Sequence, residues 1–164
     1  GMRGIKLHPD FQHIYIDEPR MFSIYRKCVE LRLPVLFHVG DCNTDFSTPA
    51  RMRAVCEKLP DLTVIAAHLG GYSVWDDARN ALIGTPVYMD CSEALPYLSV
   101  EETYGLIKRH GVERVMFGSD YPVFGTDSAF ALIDALPFTP EEKERLYHGA
   151  AEEVLMCGAQ LQPE

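Results

Sequence analysis

The sequence predicts one α/β domain built on a parallel sheet, with its chemistry at the carboxyl tips of the strands. Three observations carry this reading. Strand-like and helix-like segments alternate along the 164 residues, the pattern of right-handed βα units. Four apolar runs are short and rich in β-branched or large residues, which suits strands buried on both faces. They are GIKLHP (Gly4–Pro9), PVLFHVG (Pro34–Gly40), TVIAAHLGG (Thr63–Gly71) and RVMFGSDYP (Arg114–Pro122). Each run ends in a group able to hold a cation or move a proton, and parallel α/β folds place their sites at such tips. A doubly wound sheet usually carries a glycine-rich phosphate turn after its first strand. Gly70-Gly71 is only a glycine pair, so the strand tips point to a barrel mouth.

The elements follow in order. A strand near Arg3–Leu7 leads to a helix near Pro19–Arg32. A second strand, Val35–Phe37, precedes a helix opening at Thr48-Pro49; threonine caps free amides and proline suits the first helical position. A third strand, Leu62–Ala67, leads to a helix around Val74–Ala81. A fourth, Val87–Met89, precedes Ser99-Val100-Glu101-Glu102, a capping box. A fifth, Val115–Phe117, precedes a helix near Ser128–Leu136. Thr139-Pro140-Glu141-Glu142 is a second capping box and opens the last helix. No linker or low-complexity stretch interrupts the chain, so residues 1–164 read as one domain, with a fraying tail after Cys157. Gly1 ahead of Met2 reads as a remnant of tag removal, so the frame is expected to start at Met2.

Bulk numbers narrow the function classes. The net charge is −9, with no basic cluster, which disfavours nucleic-acid binding. No apolar run approaches the ~20 residues of a membrane span, and no signal peptide precedes the first strand. The five cysteines, Cys28, Cys42, Cys56, Cys91 and Cys157, are odd in number and form no C-x-x-C. A disulfide framework is therefore not suggested, and a reducing cytoplasm fits best.

His38 directly follows Val35-Leu36-Phe37, and His68 repeats the placement one βα unit later. Asp120 repeats it again, two units on. One such histidine alone reads as a hydrogen-bonded core residue. Two imidazoles and a carboxylate on strand tips form a plausible set for a zinc-type cation. Gly70-Gly71 could let backbone approach a ligand closely. Lys6 and His8 are two apart and share a strand face. Lys6 either lines the mouth or neutralises Asp90 or Asp120. Asp90 reads as a loop-structuring residue. Trp75 and Tyr72 either floor a pocket or anchor a helix. His110 precedes Gly111 at a helix end, where a cation is favoured. His148 and His13 are assigned no role.

At these residues the chain resembles the amidohydrolase superfamily, in the amidohydrolase-related branch that also holds metal-dependent aromatic-acid decarboxylases. The strings that carry the resemblance are Gly4-Ile5-Lys6-Leu7-His8-Pro9 with Gln12, Phe37-His38-Val39-Gly40, His68-Leu69-Gly70-Gly71 and Phe117-Gly118-Ser119-Asp120-Tyr121-Pro122. Leu136–Leu155 resembles the closing helices, with Gly149-Ala150 in place of the usual asparagine–alanine pair. The resemblance runs from about Arg3 to Leu155. It implies a partial (β/α)8 TIM barrel in which these strands correspond to strands four to eight and strands one to three are missing. It further implies that His38 and Asp120 are metal ligands and that His68 is a ligand or an acid–base group. Asp120 and His68 are then catalytic, and His8, Lys6 and Trp75 contact substrate. The implied cofactor is a divalent metal, zinc first and manganese as the alternative.

The implied activity is a metal-dependent hydrolase that cleaves a C–N or C–O bond of a small molecule with activated water. A nonoxidative decarboxylase of a small aromatic or unsaturated acid is the alternative on the same site. A third reading is a non-catalytic half-barrel. No His-x-His pair occurs, so the first-strand ligands of the family are absent. Five strands leave a barrel interior and two edges open, which leads to the expectation of a homo-oligomer, most simply a two-fold dimer burying that interior.

Overall fold

The computed structural model describes residues 1–156; the expected fraying after Cys157 lies outside them. Five strands form one sheet: β1 (Ile5–Leu7), β2 (Val35–Phe37), β3 (Val64–Ala66), β4 (Tyr88–Asp90) and β5 (Val115–Met116). They lie in sequential order, and every neighbouring pair is parallel. Among the described residues β1 and β5 each have one sheet neighbour. A sequential, all-parallel sheet of βα units is an arc of a barrel wall.

The helices are α1 (Pro9–Gln12), α2 (Met21–Leu31), α3 (Pro49–Lys58), α4 (Trp75–Ala81), α5 (Val100–His110), α6 (Thr126–Ala135), α7 (Pro140–Glu144) and α8 (Ala150–Met156). Thr48 Oγ1 accepts from the Arg51 amide at the start of α3, and both expected capping boxes form, Ser99 with Glu102 and Thr139 with Glu142. Strand and helix ends move by one to three residues from the sequence reading, as termini do. Two features differ more. The chain turns directly from β1 into the single turn α1, because Pro9 pre-sets a helical φ at its first position. The last helix is broken by a wide turn over Arg145–Gly149, where Gly149 sits against the Arg145 side chain.

Strand alternation splits the sheet into two faces. Val35, Phe37, Val64, Ala66, Met89 and Val115 face the helices and join the main core with Tyr25, Met52, Leu82, Ile107 and Ile133. The opposite face carries the register row Lys6, Leu36, Ile65 and Tyr88, then Asp90 beside Met116. The sequence leaves this inner face bare. In the structure Ile65 and Met116 are buried against Ala150 and Val154 of α8. Tyr88 also donates its hydroxyl hydrogen to Glu153. The C-terminal helix thus covers part of the inner face, around Ile65 and Met116.

Candidate metal centre

The site lies where β2, β3, β4 and β5 deliver their carboxyl ends. Gly40 shows how tightly the loops pack there. Its φ is +89°, and a Cβ on it would stand 2.8 Å from the backbone of Gly71 and Tyr72. The glycines after His68 serve the same purpose. A Cβ on Gly71 would meet Ala78 Cβ at 2.7 Å, so this space is filled by the protein's own chain and not by a ligand.

His38 and His68 are both buried, and their rings meet: His38 Nδ1 and His68 Nε2 are 2.9 Å apart. Their far nitrogens face backbone carbonyls. His38 Nε2 lies 2.9 Å from Gly40 O, and His68 Nδ1 lies 3.0 Å from Ser92 O. A carbonyl can only accept, so each far nitrogen carries the hydrogen. Both near nitrogens then aim a lone pair at the same point, an arrangement that requires a cation between them, either a proton or a metal. Metal-binding histidines characteristically donate their other N–H to a carbonyl in this way. Tetrahedral ligands at ~2.0–2.1 Å from zinc stand about 3.4 Å apart, so a small ring rotation opens the 2.9 Å pair to that spacing. Burial, reinforced by the charges of His68, His8 and Lys6, pushes His38 down to about 3, which keeps it in the neutral form a metal needs.

A second grouping fits less well. Ligand atoms of His8, Asp10 and His38 lie within 4.8 Å of one another, and buried His8 Nδ1 has no hydrogen-bond partner. The His8 ring, however, is stacked between Phe11 at 3.8 Å and His38 at 4.0 Å, at 11° to the latter. Lone pairs lie in ring planes, so stacked parallel rings aim past each other. Asp10 also spends both oxygens accepting from Thr44 and Ser47. These contacts fix the loop after β2 to α1. Asp10 was missed in the sequence, where the His8-x-Asp10 spacing was its only signal.

The other expected residues separate by environment. Asp120 is exposed, with φ +59°, on the loop after β5. It shares with Lys6, His68, Asp90 and Ser92 a hollow of about 550 Å³ along the inner face. Its carboxylate does not lie within 4.8 Å of both histidine nitrogens. Lys6 is exposed to the hollow, and partial enclosure lowers its pKa against the opposing pull of Asp90 and Asp120. Trp75 is half-buried and donates Nε1–H to His68 O at 2.9 Å, stacked on Tyr97. Asp90 accepts at Oδ1 from the amides of His68 and Ser92, at 3.2 and 2.9 Å, and from the Ser92 hydroxyl. His110 corrects the expectation of a helix-end cation. It is buried, with Nε2 2.9 Å from Val87 O and Nδ1 accepting from Gly84 N, and burial lowers its pKa. It is a neutral core residue. His148 is exposed and pairs with Glu144 and Glu152, which raise its pKa.

Sequence comparison places this geometry in a family, because the family model described as Amidohydrolase matches residues 1–156. The chain belongs to the amidohydrolase family. Solved structures agree on the fold. An uncharacterized TIM-barrel protein from Bordetella bronchiseptica superposes with a TM-score of 0.75 at 22% identity, over 90% of this chain and 54% of that one. A 5-carboxyvanillate decarboxylase from Novosphingobium aromaticivorans, complexed with manganese, gives 0.71 at 18%, over 95% and 57%. A protein from Acinetobacter baumannii described as a probable 2-pyrone-4,6-dicarboxylic acid hydrolase, with citric acid bound, gives 0.68 at 16%, over 95% and 65%. The amidohydrolase-family chain therefore spans a little over half the length of these barrels. Comparison with curated proteins finds no match.

Proposed function

We propose that this amidohydrolase-family chain carries the metal-binding part of a metal-dependent hydrolase acting on a small molecule. The observation that carries the reading is the pair of lone-pair nitrogens, His38 Nδ1 and His68 Nε2, aimed at one point 2.9 Å across. His38 and His68 would hold the cation from the buried side, and Asp120 would supply the carboxylate ligand from the hollow that it shares with His68. A divalent cation there supplies Lewis-acid activation of water and of a substrate carbonyl. His38 is held neutral by its burial, against the pull of its hydrogen bond to Gly40, and so stays a ligand across the working pH range. Asp120, exposed at the mouth, is the group able to take a proton from water. Lys6 places a positive charge in the same hollow, suited to an anionic substrate group, with His8 stacked on His38. Trp75 is already engaged with His68 O, so its contribution is to the site's shape.

Decarboxylation of a small aromatic or unsaturated acid is the second reading, favoured by the fold match to a decarboxylase complexed with manganese. Released carbon dioxide against released amine or alcohol separates the two. Zinc is our first assignment and manganese the alternative. The unpaired sides of β1 and β5, with Ile24 and Leu31 exposed near one edge and Tyr121 and Val123 near the other, support association into a homodimer, read by light scattering. A cytoplasmic setting accords with free Cys28, Cys42, Cys56 and Cys91; among the described residues no helix is long and apolar enough to cross a membrane.

The test is elemental analysis of protein purified without chelator, followed by zinc titration. About one equivalent per chain is expected, lost in His38→Ala and His68→Ala. A wild-type chain that neither carries nor takes up zinc or manganese overturns the assignment.

A further inference from the structure

His68 sits on an unusual piece of backbone. It has φ +61° and Leu69 has φ +52°, left-handed values uncommon for any residue with a side chain and costly for leucine. Such strain persists only where surrounding structure over-determines it. Three contacts do so here. The His68 amide donates to Asp90 Oδ1 at 3.2 Å, the His68 carbonyl accepts from Trp75 Nε1 at 2.9 Å, and the ring Nδ1 lies 3.0 Å from both Ser92 O and Ser92 Oγ. Asp90, Ser92 and His68 are all buried.

The direction of each hydrogen bond follows from this set. The Ser92 hydroxyl hydrogen goes to Asp90 Oδ1, which leaves Ser92 Oγ as an acceptor. Both Ser92 oxygens facing Nδ1 are then acceptors, so Nδ1 carries the hydrogen and Nε2 keeps its lone pair. Gly118 lets the Asp90–Ser92 turn lie this close to β5, since a Cβ there would meet Ser92 Cβ at 3.2 Å.

We propose that Asp90, Ser92 and Trp75 are positioning residues for His68. Asp90 and Trp75 clamp its left-handed backbone from the amide and carbonyl sides, and the Asp90–Ser92 pair fixes the ring with Nε2 turned to His38 Nδ1, where the cation would be held. This rests on the metal reading above for its purpose, but not for its geometry. Loss of such outer partners typically weakens metal binding 10–100-fold.

Two measurements test it independently. In ¹⁵N NMR of metal-free protein, with His68→Gln as the assignment control, wild type is expected to show a slowly exchanging His68 Nδ1–H. Ser92→Ala should broaden or lose that resonance, while Trp75→Phe, which keeps the ring and removes only the donor, should keep it. In zinc titrations of the same folded variants, affinity should fall about 10-fold for Ser92→Ala, up to about 100-fold for Asp90→Ala, and least for Trp75→Phe. Circular dichroism confirms folding in each case. A wild-type His68 with Nδ1 unprotonated overturns the proposal. So does zinc binding by Ser92→Ala and Asp90→Ala at wild-type affinity. If wild type binds no zinc, the metal reading falls, and the Nδ1–H resonance and its loss in Ser92→Ala still decide the positioning claim.

Discussion

The two faces of the sheet are built on opposite terms. On the outer face, Val35, Phe37, Val64, Ala66, Met89 and Val115 join one apolar core with helix side chains such as Met52 and Ile107, and all are buried. On the inner face, the row one residue out of phase mixes Lys6, Leu36, Ile65 and Tyr88, with α8 over part of it and a hollow over the rest. The outer face has a fixed set of partners and no solvent to negotiate with, so shape decides everything there. The inner face keeps charge, space and access, which are what a site needs. One backbone serves both, because successive strand residues point to opposite sides. The two facing histidine nitrogens sit at the tips, where the outer packing holds the strands.

Adjacent residues of β2 give the largest test of this contrast. Phe37 is fully buried on the outer face, and its truncation to alanine should cost about 3–5 kcal/mol in urea unfolding. Leu36, its half-buried neighbour on the inner face, should cost about 1–2 kcal/mol. Equal costs would show that the inner face is packed as firmly as the outer, and the division drawn above would fail.

Acid should act through the buried histidines. The pKa of His110 is lowered by burial, and His38 is lowered further. Each therefore takes up its proton in the unfolded chain before it does so in the folded one. The stability they permit is complete above the ordinary imidazole value of 6.5 and is lost as pH falls below it. Thermal melts in chelator should show the melting temperature dropping progressively from about pH 6.5 towards pH 4. His110→Gln should flatten that slope without abolishing it. A melting temperature level across this window would contradict neutral burial of His110.

What could be read from the sequence follows the same division. The strands, their order and the helix starts were legible, because buried apolar runs and the caps Thr48, Ser99 and Thr139 are local signals. The positions of His38 and His68 were legible because one follows β2 directly and the other lies two residues past β3. The Nδ1–Nε2 contact between them was not, since ring orientation depends on Gly40 and Ser92, far apart in the chain. The contacts of Trp75 were left open for the same reason: it read as a pocket floor or a helix anchor, and its indole N–H finds a carbonyl seven residues back. Coverage of the inner face by α8 was invisible, because Ala150 and Val154 have an ordinary helical spacing and nothing local states which surface they meet. Asp120 was read as a strand-tip residue; it lies four residues beyond the end of β5, where its direction is set by a loop.

The smallest expected effect concerns Lys6, the one cation of the inner row. Its enclosure lowers its pKa while Asp90 and Asp120 pull the other way. It remains exposed to the hollow, so solvent screens both influences. Lys6→Met, which keeps the length of the side chain, should change unfolding free energy by no more than about 0.5 kcal/mol. Its effect should appear instead in binding. Removing a positive charge from the hollow it shares with His68 and Asp120 should tighten zinc or manganese binding a few-fold at low salt, and less as salt rises. The same change should weaken capture of a small carboxylate in the hollow. Calorimetric titration with metal and with a simple benzoate reads both. If Lys6→Met weakened metal binding, the lysine would belong to the support of the metal centre, and the inner face would be more tightly organised than its open hollow implies.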